Sequence, residues 1–460
     1  MKNLVTALFL CCALAAAQSH PAVAIHNAKI VTVSGSVIKK GTVVVRNGLI
    51  EAVGENVAVP SDAMLVEGEG LTVYPGLIDA LSTWGQPVAA ATATAGRGGR
   101  GTATATPAAT AAIQPAAPAA RGPEDRPQTT SWLKIADEVS ATDRRIETAR
   151  GAGFTTAVTF PTRGIFAGQG AVIDLITTEK PGEMVVASPV GQYIALTRGG
   201  GMGRSFPGSL MGYIAYVRQI YIDAEYYKLV KDTYAKSPVG MARPEYDRAL
   251  EGVLDSPRIL LPANRLVEID RMLHLAADLK QPVILYGGRE TFRPEAAALL
   301  KKFNAPILLS MKWPEASRDA DPDEPDSMRT LDTRDRAALA PSVLQKAGVK
   351  FAFYSDGLDA ARDLQRAVKK ALDNGLSRED ALRALTLSPA EIYGVADRLG
   401  SIEPGKIANL VVTRGDIFDD RIKVEMTIVD GRKYVPAPDA PPTGGRGATT
   451  DPGVNRSWVK

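Results

Sequence analysis

Eight side chains stand just beyond expected strand ends and belong to types that bind or move charge: Thr83, Arg163, Arg265, Arg289, Glu290, Lys312, Trp313 and Asp356. Four are cationic and two anionic. If they converge, the pocket suits a small anionic molecule, because a guanidinium grips a carboxylate or phosphate through paired N–H donors. Asp356 would then serve as a general base positioned for water. The alternative is that several of the eight are helix caps or exposed strand ends. Ser355-Asp356-Gly357 also has the form of a turn and helix N-cap, which would keep the aspartate for structural reasons alone.

Metal donors are scarce. The chain has three histidines, His20, His26 and His274, and two adjacent cysteines, Cys11 and Cys12. Adjacent thiols rule out a Cys-x-x-Cys zinc site. His20 falls in a loose N-terminal segment, His26 in a strand, and His274 four residues after Asp270 on a helix, the spacing of a surface ion pair. The run Asp319, Asp321, Asp323, Asp326 spaces oxygens like a calcium loop but lacks its glycine turn and distal glutamate. The glycines of 168–170 and 198–204 lack the strand-to-helix setting of a nucleotide loop, and the second run reads as a flexible loop over a site.

The elements that position these residues follow from periodicity. Apolar runs at 76–81, 154–160, 171–177, 258–261, 282–286, 306–310 and 350–354 read as strands buried on both faces, separated by helical stretches. Leu266, Ile269, Leu273 and Ala276 fall on one helix face behind an Asn264 N-cap. Ser377 to Asp380 opens a helix, and Ser388-Pro389-Ala390-Glu391 reads as a capping box. The stretch 210–234 is helical and carries six tyrosines suited to packing or a subunit contact. Repeated strand–helix units place this region in the α/β class, and seven visible strands favour an eight-stranded barrel over an open sheet. Strand-rich pieces at both ends, with hairpin turns at Asn47-Gly48 and Asp430-Gly431, predict a small β-sandwich domain assembled from 18–74 and 401–435, with 75–400 inserted between them.

The remaining segments are compositionally simple. Residues 1–17 resemble a signal peptide: Lys2, an apolar run, then small residues ending at Ala17. That expectation places the protein in a secreted or periplasmic location, with no membrane span in the mature chain. Residues 86–130, rich in Ala, Thr, Gly and Pro, read as a surface insertion, and 436–460 as a disordered tail. The chain has 460 residues, a formal charge of +3, 45% hydrophobic and 23% charged residues. Disorder throughout is excluded, and so is the broad positive field of a nucleic-acid binder.

Several segments, read together, resemble the amidohydrolase superfamily, most closely its imidazolonepropionase-like secreted branch. They are NAKIVTVSGSVIKKGTVVVRNGLIEAVG with VYPGLIDA, GAGFTTAVT, FAFYSDG, and LRALTLSPAEIYGVADRLGSIEPGKIANLVV. The resemblance implies a (β/α)8 TIM-like barrel inserted in a small β domain, the hydrolysis of non-peptide carbon–nitrogen bonds, and a zinc or other divalent ion. In that family PGLIDA continues with His-x-His; here it continues Leu81-Ser82-Thr83. Pro262 stands where a related segment has histidine, so only Asp356 survives of the expected ligands. About three protein ligands are needed to hold a catalytic ion. No bound metal or other cofactor is therefore expected. The primary expectation is a catalytically impaired protein that binds a small molecule or supports a partner, either an intact relative or a second copy. The alternative is an active hydrolase with an atypical site built on Asp356.

Overall fold

In the computed structural model, residues 22–87, 126–196, 206–316, 326–358, 361–419 and 422–436 are described. The expected signal peptide, most of the 86–130 insertion, the 198–204 loop, most of the acidic run and the tail lie outside them. None of the described helices is long and apolar enough to cross a membrane.

The chain opens with β1 (Val23–Ile30), β2 (Ile38–Arg46), β3 (Leu49–Gly54), β4 (Met64–Glu67) and β5 (Thr72–Pro75). The barrel strands follow: β6 (Leu77–Ser82), β7 (Phe154–Thr159), β8 (Phe166–Gln169), β9 (Ala171–Asp174), β10 (Val185–Ala187), β11 (Gln192–Ile194), β12 (Ile259–Ala263), β13 (Val283–Gly287), β14 (Ile307–Ser310) and β15 (Phe351–Tyr354). The chain then returns through β16 (Leu410–Thr413), β17 (Val424–Val429) and β18 (Arg432–Tyr434). β16 pairs antiparallel with β5, so both ends of the sequence build one eight-stranded sheet around its own apolar core. Both expected hairpin turns are present, with Asn47, Gly48, Asp430 and Gly431 all at positive φ.

β11 to β15 run parallel and in order, as do β6 and β7. Between these two groups the chain departs from a regular βα repeat. β8 and β9 form one extended run broken only at Gly170; β9 pairs antiparallel with β7, and β8 pairs antiparallel with β11. The apolar run expected at 171–177 is thus an antiparallel strand, and the expected eighth strand is the three-residue β11. Gly170 is required at the break, because a Cβ there would lie 2.2 Å from the Phe160 ring.

Strand side chains sort by alternation. Ile78, Val158, Leu260, Ile284, Leu308 and Ala352 fill the barrel interior. Ile259, Leu261, Leu285, Ile307, Leu309, Phe351 and Phe353 face the outer layer of helices. That layer includes Leu266–Asp278, Pro294–Lys302 and Ala361–Asp373, each in a strand–helix unit. Ile269, Leu273 and Ala276 are buried as the helical period predicts. Its N-cap is Arg265, one residue later than expected. Ser377 caps Arg378–Leu385 through Asp380 N, as expected. The second expected capping box does not form: helix Leu387–Tyr393 starts earlier, and Glu391 instead pairs with Arg383 and Lys350.

Two buried carboxylates tie the layers together. Asp79 on β6 accepts from Ser355 N (3.0 Å) and Ser355 Oγ (2.6 Å), which clasps β6 to the end of β15. Asp174 on β9 accepts from Thr156 Oγ1 (2.9 Å) and from Asn409 Nδ2 (2.6 Å), which links the barrel to the terminal sheet. Burial away from water pushes both carboxyls up to about 7. A folded value above the unfolded one means that the unfolded chain ionises first as pH rises. These groups therefore contribute most below pH 4, and that contribution fades through about pH 7, at a limiting slope of about 1.4 kcal/mol per unit for each group. Urea denaturation should show the stability of the parent chain relative to Asp79→Asn falling between pH 4 and pH 7. A constant difference would contradict the assignment.

Candidate functional site

Five of the eight sequence-selected residues line one cleft of about 1100 Å³: Arg265, Arg289, Glu290, Lys312 and Trp313. The loops after β12, β13 and β14 supply them, so the cleft lies at the C-terminal rim of the strands, where barrel sites are built. Helices Met328–Arg336 and Ala361–Asp373 complete its walls with Arg329, Arg334, Arg366 and Lys370. Seven cationic side chains face four carboxylates, which leaves the cleft net positive.

Partners decide which of these charges are available. Glu268 Oε2 accepts from Asn264 N (2.9 Å) and Arg265 N (3.1 Å) and so caps the helix beneath the cleft. Glu290 is 3% exposed. Its Oε2 accepts from Leu266 N (2.8 Å) and its Oε1 pairs with Arg329 (2.6 Å). Glu290 thus acts as a built-in anion at a helix N-terminus while lining the cleft. Arg334 pairs with Asp326, and Arg366 with Asp363 at 3.2 Å. Arg265, Arg289, Lys312 and Lys370 have no ion-pair partner among the described residues. Trp313 is half-buried, and its indole N–H donates to Ala367 O (2.8 Å), which fixes the ring in the wall.

The other three sequence-selected residues stand apart. Thr83 is held by Arg145, whose Nη1 donates to Thr83 Oγ1 (2.9 Å) and whose Nη2 donates to Thr83 O (2.7 Å). Arg145 is in turn paired with buried Asp143. Arg163 is exposed on the loop after β7 and does not line the cleft. Asp356 does not line the cleft; it stands at φ +50 and accepts from Ser310 Oγ (2.7 Å). Lys312 N donates to the same Ser310 Oγ (3.1 Å), which connects Asp356 to the cleft loop. Sequence reading missed Arg329, Arg366 and Lys370 because it followed strand ends only. The i,i+4 spacing of Arg366 and Lys370 on one helix was the available signal.

Aromatic side chains crowd the mouth of the barrel beside Asp356. Tyr193 and Tyr286 stack with centroids 5.1 Å apart, and Phe160 lies 5.9 Å from Tyr193. Burial raises the Tyr193, Tyr286 and Tyr354 hydroxyls, and the nearby Asp356 charge adds to this, so these phenols stay protonated. Leu81, one of the two positions where imidazole would be needed, packs with the apolar interior. No group of three or more His, Cys, Asp or Glu side chains among the described residues could hold a metal ion. A lone carboxylate beside protonated phenols and a committed threonine does not fit a divalent cation. His274 pairs with Asp270 (3.4 Å) on an exposed helix face, as its spacing predicted.

Residues 328–433 match the amidohydrolase family. The structure aligns with an amidohydrolase from Thermotoga maritima at a TM-score of 0.71 and 24% identity, covering 90% of this chain and 100% of that one. The chain shares that fold. A prolidase complexed with N-methylphosphonate-L-proline and a molinate hydrolase align at TM-scores of 0.51 and 15% identity, each over 90% of this chain and over 100% and 95% of theirs. An adenine deaminase from Moorella thermoacetica is 36% identical over 69 residues, 15% of this chain. One from Methanoculleus marisnigri is 36% identical over 89 residues, 19% of this chain. The matched segments span only 11% and 16% of those two deaminases.

The Glu290–Arg329 pair gives a direct check on the cleft wall. Arg329→Met leaves the carboxylate buried with one partner fewer. It should destabilise the fold by about 1–2 kcal/mol, less than a fully buried pair because Arg329 is half-exposed. Adding Glu290→Gln should recover part of that loss in urea denaturation.

Proposed function

We propose that this amidohydrolase-fold protein is exported, binds a small anionic molecule in the rim cleft and does not carry out metal-assisted hydrolysis. The observation that carries the reading is the set Arg265, Arg289, Lys312 and Lys370: four cations lining one cleft without an ion-pair partner among the described residues. Like charges gathered at a barrel rim repel one another, and a bound anion relieves that repulsion while each guanidinium gains charge-assisted hydrogen bonds. The misfit between the barrel-mouth residues and a divalent ion supports the second half of the reading. The barrel then serves as a rigid frame for the rim loops, and the protein acts as a ligand-binding subunit, alone or beside an intact relative.

Calorimetry with two dicarboxylates, glutarate and isophthalate, tests the cleft. At least one should bind the parent chain, and Arg265→Ala with Arg289→Ala should weaken it by about tenfold or more. Raising the salt concentration should also weaken it. Equal binding by parent and double variant would overturn the reading.

A hydrolase built on Asp356 is the second reading, and the Ser310–Asp356 hydrogen bond favours it. Metal analysis separates the two. The purified parent chain should carry no stoichiometric zinc. Stoichiometric zinc that is lost in Asp356→Ala would establish the second reading in place of the first.

A further inference from the structure

The cleft is chemically mixed. Arg265 and Arg289 enter from the loops after β12 and β13, with Lys312 beside them. Elsewhere the lining offers apolar surface: Trp313, Leu358 and Ala367, from the loops after β14 and β15 and from helix Ala361–Asp373, which also brings Arg366 and Lys370. Trp313 packs partly against the hydrophobic core and partly lines the cavity. Its only hydrogen-bonding group is already committed to Ala367 O, so what it offers a ligand is ring surface.

A purely hydrophilic anion would use the cations and leave this apolar surface wet. A ligand that pairs a charged group with a flat ring would use both. The cavity of about 1100 Å³ has room for the two parts side by side. Resting on the anion-binding reading, we propose that the cleft takes an aromatic or heteroaromatic acid, its anionic group held by Arg265, Arg289 and Lys312 and its ring packed against Trp313. Ring-on-ring contact in a partly dry wall supplies the discrimination, and the guanidinium groups fix the orientation. Trp313 is fixed at one end by the Ala367 hydrogen bond and carries few rotatable bonds, so ordering it against a ligand loses little entropy.

Isophthalate and glutarate carry the same two carboxylates and differ in the ring, so their ratio of affinities isolates this claim. The parent chain should bind isophthalate about tenfold more tightly than glutarate. Trp313→Leu should bring the two together, while Trp313→Phe, which keeps a ring and loses the N–H, should retain most of the preference. Arg289→Ala should weaken both ligands without changing their ratio. Quenching of indole fluorescence by isophthalate, absent in Trp313→Phe, reports contact independently of affinity. Equal affinities in the parent chain, or a preference that survives Trp313→Leu, would overturn the aromatic assignment and leave the anion-binding reading standing. If neither dicarboxylate binds, both fail.

Discussion

The architecture turns on a carboxylate with no access to water. Asp79 is fully buried, and both of its oxygens are engaged by Ser355 at the end of the last barrel strand. Among the described residues no ladder joins β6 to β15, so this side chain takes over part of the work of backbone pairing at the seam. A buried acceptor pair costs desolvation unless it is satisfied, and here two donors from one residue satisfy it. The consequence reaches the rim. Asp356 directly follows Ser355, Ser310 donates to Asp356, and Ser310 is held by the backbone of Lys312. One interaction deep in the seam thereby orients the loop that carries Lys312 and Trp313.

At the barrel mouth the described residues are held together by packing. The barrel mouth is stabilised by stacked tyrosines and by Leu81, which contribute through contact area and need no charged centre. At the rim, Glu290 and Glu268 occupy a helix N-terminus beside the cleft. Those internal carboxylates neutralise the helix end, and the four cations above them face the cavity.

Much of this was legible in the sequence, for reasons that can be named. β12 to β15 were readable because each is a short apolar run between helical stretches, and parallel strands buried on both faces have that signature. The hairpin turns were readable from Asn47-Gly48 and Asp430-Gly431, since few other pairs accept two positive φ angles in succession. Arg265, Arg289, Lys312 and Trp313 were found because residues just past parallel strands must lie on one rim. β8, β10 and β11 were not: FAGQ and QYI break the apolar run with polar residues, and β10 is only three residues long. Thr83 and Arg163 satisfied the same positional rule but depart from the cleft. The partner that holds Thr83, Arg145, is 62 residues away in sequence, and no local pattern announces it. Glu290 was placed in the cleft, but its bonds to Leu266 N and Arg329 were not legible, since sequence spacing does not show which neighbouring helix a carboxylate caps.

The two-ended sheet has a consequence for how the chain comes to be folded. β5 closes against β16, and some three hundred residues of barrel must be made before that partner exists. Contacts so distant along the chain form late, after the entropy of closing a very long loop has been met. During synthesis β1 and β2 can zip into a hairpin at once, while β5 waits with an unpaired hydrogen-bonding edge and an apolar face exposed. The interval before the last strands arrive is thus the period of greatest vulnerability to aggregation, and a nascent chain of this topology gains most from a chaperone that shields its first seventy-five residues.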